Sequence, residues 1–259
     1  MFTFSFAWIG VLVVLGVIGS LLSGMLGIGG AIIKYPMLLY IPPIFGLTAF
    51  SAHQVSGIVA VEVFVTSLAG VWAYRKSGFL HKKLIIYMGG GSLAGSLIGS
   101  FGSHYLSAGA VNIVYGVLAL IAAMMMLLPR KGADEAGNVP FHKPLATVLA
   151  FIVGLASGIV GAGGGFMLVP IMLTMLKIPM RTTIATSLAI TFISSIGSSV
   201  GKVVTHQVDY GPALILMVTG LIVAPIGAAI GKKANVRVLQ LLLALMICGT
   251  VIKIWSDIL

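Results

Sequence analysis

Ser23-Gly24-Met25-Leu26-Gly27-Ile28-Gly29-Gly30-Ala31, with Pro36 following, returns 134 residues later as Ser157-Gly158-Ile159-Val160-Gly161-Ala162-Gly163-Gly164-Gly165, with Pro170 following. Each copy interrupts an otherwise apolar stretch with clustered glycine. A hydrophobic helix broken at matching positions in two halves of a chain is the strongest sequence pointer to a binding site between repeats of a membrane carrier.

The surroundings of both copies are apolar. Of 259 residues, 59% are hydrophobic and 8% charged, and mean hydropathy is +1.17. A soluble domain carries about 25% charged residues. Uncharged runs cover 85–101, 111–128 and 239–252, close to the roughly 20 residues that cross a bilayer. The chain therefore reads as an all-α polytopic membrane protein, multi-pass in a bacterial or archaeal inner membrane, with lipid as its main surroundings. The net charge of +10 does not point to nucleic acid, because the basic residues gather in short loops. These are Arg75/Lys76/Lys82/Lys83, Arg130/Lys131/Lys143, Lys177/Arg181 and Lys232/Lys233/Arg237, the placement expected of cytoplasmic loops. A lone Cys248 excludes an internal disulfide. The first apolar run, about 4–26, lacks a basic leader and runs straight into the first glycine cluster, so it is expected to be retained.

The apolar runs fall alike in two halves, 1–128 and 144–259, joined by a polar cytoplasmic linker at 129–143. Predicted segments are 5–26, 31–42, 48–73, 83–103 and 109–128, then 145–160, 165–176, 182–203, 211–230 and 236–256. A helix over 31–42 is about 18 Å long at 1.5 Å per residue, too short for a hydrocarbon core of roughly 30 Å. Each glycine cluster is therefore expected to turn a hairpin that leaves on the face it entered. Three transmembrane helices follow each hairpin. Placing every basic loop inside puts both termini outside. The first hairpin then opens outward and the second inward, which makes the halves inverted repeats.

The candidate site follows from the turns. Amides at a helix N-terminus attract anions, helped by the helix dipole. Gly27, Gly29 and Gly30 of one turn and Gly161, Gly163, Gly164 and Gly165 of the other are expected to hold a small anionic substrate between them. Close helix packing is the plainer role of the same glycines. Gly91/Gly95/Gly99 and Gly227/Gly231 are assigned to packing alone. Thr186, Ser187, Thr191 and Ser194 belong to a hydroxyl-rich stretch, of which Ser187, Thr191 and Ser194 share one helical face. They serve either as donors to an oxyanion or as interhelical glue. Lys34 either attracts substrate or snorkels to the surface. Glu62, inside a span, needs a partner or a proton, and with His53 it is a candidate for proton or cation coupling. Lys202, near the outer end of its span, is a candidate for drawing anions to the mouth.

Catalysis has no footing: Ser157 has no positioned base, and no metal or cofactor motif is present. Gly-x-Gly-Gly is not a nucleotide fingerprint here, since no strand precedes it and no acidic residue follows at about 20 residues.

The paired Ser-Gly-x-x-Gly-x-Gly-Gly-(Ala/Gly) with its following proline, together with Thr182-Thr183-Ile184-Ala185-Thr186-Ser187-Leu188, resembles the TauE/SafE sulfite exporter family over essentially the whole chain. The resemblance implies an integral membrane transporter of small anions, including sulfite and organosulfonates, and implies export. Ala31 stands where the second copy has Gly165, and Ser51-Ala52-His53 where it has Ala185-Thr186-Ser187. A passive anion channel and a membrane assembly subunit are the alternatives; homo-oligomerisation is left open. The topology has a direct test: in a Cys248-free background, Gly78→Cys is expected to resist membrane-impermeant thiol reagents added outside the cell.

Overall fold

The computed structural model describes residues 6–127 and 141–258, and every regular element among them is helical. The first half holds α1 (Phe6–Leu26), α2 (Ala31–Ile44), α3 (Ala52–Tyr74), α4 (Lys82–Gly102) and α5 (Ala108–Leu127), with a 3-10 turn at Ser103–Tyr105 after α4. The second holds α6 (Lys143–Val160), α7 (Gly165–Thr174), α8 (Met180–Val204), α9 (Tyr210–Lys233) and α10 (Val236–Ile258). Seven helices, α1, α3, α4, α5, α6, α8 and α9, are long and apolar enough to cross a membrane. Most of the linker expected at 129–143 lies outside the described residues.

The short helices are the expected ones, of 14 and 10 residues. Their lengths correspond to about 21 and 15 Å, so neither crosses a bilayer. Helix α2 runs on through Pro42 and Pro43, two residues further than predicted. Helix α3 starts four residues later than predicted, because Ser51 caps it. The Ser51 hydroxyl accepts from the Gln54 amide, and the Gln54 side chain accepts from the Ser51 amide at 2.9 Å. This reciprocal capping box outweighs the apolar residues before it.

Helices α3 and α8 form the centre. They are 67% and 72% buried along their spans, against 44% for α1 and 33% for α9. Around them the halves interlock. Helix α1 packs on α9 as α6 packs on α4; α3 packs on α9 as α8 packs on α4; α5 meets α10. Exchanging the halves maps these pairings onto themselves.

Small residues make these contacts close. A side chain at Gly95 or Gly99 would overlap the carbonyl of Phe151 or Leu155 on α6, and one at Gly227 would overlap that of Leu21 on α1. Serines lace the same seams: Ser96 Oγ donates to the Ser194 carbonyl at 2.7 Å, and Ser100 Oγ to that of Gly197 at 3.1 Å. In lipid, close backbone approach and such bonds replace the hydrophobic drive between helices.

The bundle has two chemically distinct ends. At one, Arg181 donates to the carbonyls of Lys232 and Ala234, Lys232 donates to Ala73, and Lys143 lies 5.5 Å from the Tyr87 ring. The basic clusters that can be described therefore converge there, and the α7–α8 connection lies at this end. At the other end, His53 of α3 meets Gln207 of the α8–α9 connection and the carbonyl of Leu106. The α2–α3 connection lies at that end.

The seams carry a prediction. Gly95→Val is expected to cost about 1–3 kcal/mol or more, the price of overpacking, and to lower the melting temperature of the purified protein. Gly90 faces open space, so Gly90→Ala should leave that temperature unchanged or raise it, by helix propensity.

Candidate substrate site at the paired glycine turns

The glycine clusters adopt the same backbone twice. Left-handed φ occurs at Gly27 (73°), Gly29 (71°) and Gly30 (78°), and again at Gly161 (78°), Gly163 (61°) and Gly164 (78°). Residues with a Cβ rarely adopt this conformation, so three glycines per turn are a backbone requirement. Gly30 and Gly164 then cap α2 and α7 with no side-chain cap bond. The amides of Ile33 and Lys34 close onto the Gly30 carbonyl at 3.2 and 3.0 Å, and those of Met167 and Leu168 onto Gly164 at 3.0 and 2.9 Å. Both short helices therefore present their positive ends to the turns.

The turns meet at the centre of the molecule. A methyl group on Gly165 would sit 2.7 Å from the Ile28 carbonyl and 2.5 Å from Thr191 Oγ1. One on Gly29 would lie 2.8 Å from Thr191 Cγ2 and 3.2 Å from Val63 Cγ1; one on Gly163 would lie 3.0 and 2.9 Å from the same two atoms. Thr191 of α8 and Val63 of α3 thus stand between the turns and touch both. The whole assembly, from Leu26 to Pro36 and from Val160 to Leu173, is buried, so this conformation is closed to both ends.

The expected hydroxyls separate into different roles. Ser187 Oγ donates to the Gly27 carbonyl at 2.7 Å and holds the first turn against α8. Ser194 Oγ reaches the Ser92 carbonyl at 3.4 Å, across the α4 seam. Thr186 lies towards the basic end, accepting from the His81 amide at 3.1 Å and donating to the Phe79 carbonyl at 3.3 Å. Among the described residues, Thr191 Oγ1 is fully buried with no hydrogen-bond partner, and so is Ser23 Oγ, which lies beneath Gly30. Each of these hydroxyls lies beside a helix N-terminus, Ser23 by Gly30 of α2 and Thr191 by Gly165 of α7, and each is a donor that an oxyanion would satisfy.

Lys34 is occupied by Glu62. Its Nζ donates to Glu62 Oε1 and, at 2.7 Å, to Ser20 Oγ, and both charged side chains have no solvent exposure. Glycines make the room: side chains at Gly19 and Gly220 would collide with the Lys34 chain and with Thr66 beside Glu62. Glu62 Oε2 has no partner among the described residues. His53 lies apart from this pair, with its ring nitrogens 3.3 Å from Gln207 Oε1 and 3.1 Å from the Leu106 carbonyl. The two coupling candidates are therefore not in one cluster.

Sequence reasoning passed over Val63 and Ser23. Ser23 carried a signal, since it opens the repeated motif. Val63 carried none, being one apolar residue in an apolar helix.

Seven helices long and apolar enough to cross a membrane, packed around two glycine-broken helical hairpins, define a multi-pass integral membrane protein. The chain belongs to the sulfite exporter TauE/SafE family, whose profile matches residues 12–254. It is 27% identical over 257 residues to the probable membrane transporter protein YunE of Bacillus subtilis, covering 92% of this chain and 93% of that one. It is 24% identical over 243 residues to the probable membrane transporter protein MJ0441 of Methanocaldococcus jannaschii, covering 90% of each. A probable membrane transporter protein of Xylella fastidiosa is 30% identical over 180 residues, which cover 67% of this chain and 65% of that one. No solved structure matches.

The ion pair carries its own prediction. Lys34→Met or Glu62→Leu alone leaves a buried charge unpaired, at a cost of roughly 3–5 kcal/mol. The double variant is expected to recover most of the lost thermal stability in detergent; additive losses would show that the two charges are not coupled.

Proposed function

We propose that the protein is a secondary transporter that exports a small anion, such as sulfite, an organosulfonate or a related sulfur-containing or carboxylate anion, by alternating access. The observation that carries this reading is the meeting of two helix N-termini around Thr191, whose buried hydroxyl has no partner among the described residues. Amides and hydroxyls bind an oxyanion without a formal positive charge, which keeps affinity modest and release fast. The family's description as sulfite exporters supports the substrate class.

The geometry of the ends supports inverted repeats. The α2–α3 connection lies at the His53 end and the α7–α8 connection at the basic end, so the two hairpins open to opposite faces. With the basic end in the cytoplasm, the first hairpin faces outward and the second inward. Rocking of the halves about α3 and α8 then exposes the turns to one face at a time, and the closed arrangement is the occluded intermediate. A membrane potential negative inside favours expulsion of an anion by about 2.3 kcal/mol per charge per 100 mV. Glu62, with one carboxylate oxygen unpartnered, is the candidate for proton or cation coupling.

The reading is tested in proteoliposomes loaded with unlabelled sulfite, by counterflow of labelled sulfite. Wild-type protein is expected to concentrate label transiently, which a channel does not do. Gly163→Leu should abolish flux without preventing membrane insertion, since its φ of 61° and its contact with Val63 leave no room for a side chain. Thr191→Val removes the hydroxyl at nearly constant volume and should lower flux at unchanged stability. Wild-type flux in Gly163→Leu would overturn the assignment of the site.

A further inference from the structure

A second buried lysine lies away from the glycine turns. Lys202, in the last turn of α8, has no solvent exposure. Its three ammonium hydrogens are taken by neutral oxygens: Ser103 Oγ at 2.7 Å, Gln207 Oε1 at 2.8 Å and the Ile159 carbonyl at 2.9 Å. Among the described residues it has no carboxylate within ion-pair distance, in contrast to Lys34. A buried cation held only by neutral dipoles keeps most of its desolvation cost.

Local structure sets this up. His206 adopts φ 56° at the end of α8. The His206 amide donates to the Val203 carbonyl at 3.1 Å and the Gln207 amide to the Lys202 carbonyl at 3.0 Å. This Schellman closure folds the chain back, so that the Gln207 carboxamide lies on Lys202 five residues earlier. The Gln207 backbone is held against α3 at Gly57, where a side chain would overlap its carbonyl.

Gln207 is also part of the floor of a cavity of about 890 Å³ that opens at this end of the bundle, with His53, His104, Thr205 and His206 among its walls. Asp209 is on the same wall and makes no ion pair with Lys202. On the far side, the Ile159 carbonyl belongs to the last turn of α6, two residues before Gly161 opens the second glycine turn. One ammonium therefore links the floor of an open cavity to the edge of the central site.

We infer that Lys202, Gln207 and Ser103 form a second anion site, a receiving station between this vestibule and the glycine turns. A small oxyanion entering the cavity displaces the Gln207 carboxamide, accepts from Lys202 Nζ, which Ser103 Oγ helps to hold in place, and supplies the negative charge the lysine lacks. The site takes the same chemical class as the central one, small oxyanions, and its part in transport rests on the function proposed above. The displaced Gln207 carboxamide gives up its bonds to Lys202 and Ser103, leaving the backbone closure as the tie between the α8–α9 connection and the end of α8.

The experiment is anaerobic isothermal titration of the purified full-length protein with sulfite. Wild-type protein is expected to bind two equivalents per chain. Lys202→Met is expected to bind one. Gln207→Glu places a tethered carboxylate on the ammonium, so it too should bind one equivalent while melting at a higher temperature than wild type. It also decides the matter if Lys202→Met is not recovered folded. A wild-type stoichiometry that neither Lys202→Met nor Gln207→Glu reduces would overturn the vestibule site. Gly163→Leu separates the two assignments: loss of one equivalent there, with the Lys202-dependent one retained, supports both. Two retained equivalents would remove the central site and leave the vestibule site standing.

Discussion

Backbone polar groups cannot be left bare inside a bilayer, and the whole architecture answers that constraint. Two stretches of non-helical chain lie at the core of this protein, where water cannot satisfy them, so other helices must cover them. Helices α3 and α8 do so. Ser187 of α8 binds the Gly27 carbonyl, Gly161 packs on Ser56 of α3, and Thr191 and Val63 fill the gap between the turns. Serine and glycine seams let α4 and α9 approach closely enough to hold the two central helices in place. Irregular backbone at this depth is tolerated because it is enclosed, and the enclosed groups become the chemistry of the site.

The halves repeat in backbone and differ in charge. Lys34 aligns with Leu168 at the offset of 134, and Glu62 and Lys202 align with Ile190 and Tyr74 at the offset of 128 that relates α3 to α8. Symmetry of fold thus supplies two equivalent turns, while each charged group occurs in only one half. Lys34 and Glu62 form a buried ion pair between α1, α2, α3 and α9. Lys202 has only neutral partners among the described residues and lies against Gln207, which lines the vestibule. A structurally two-fold carrier can distinguish its two faces by such placement, because a charge that has no twin biases the end where it lies.

Much was legible from the amino acids, and what escaped did so for physical reasons. The short lengths of α2 and α7, the glycine breaks and the packing glycines are local properties, visible in spacing and composition. The start of α3 was misplaced because a capping box of Ser51 and Gln54 outranked hydropathy. The hydroxyl face on α8 was visible, but the division of labour along it was not. Ser194 crosses to α4, Thr186 leaves for the α3–α4 connection, and Thr191 keeps a free hydroxyl, and none of this is encoded in the period of the helix.

The sequence by itself determined that the chain lives in lipid, that it is built twice, and that glycine breaks the helix at one place in each copy. Those features follow from transfer energies and backbone sterics, which act residue by residue. Only the tertiary structure decided that both turns share Thr191 and Val63, that Lys34 is paired with Glu62, and that Lys202 is held by neutral oxygens of Ser103, Gln207 and Ile159. Those outcomes depend on which side chains from distant segments reach the same few ångströms. A buried hydroxyl or ammonium becomes a binding group when the fold brings it beside an open position and leaves it no protein partner able to satisfy it.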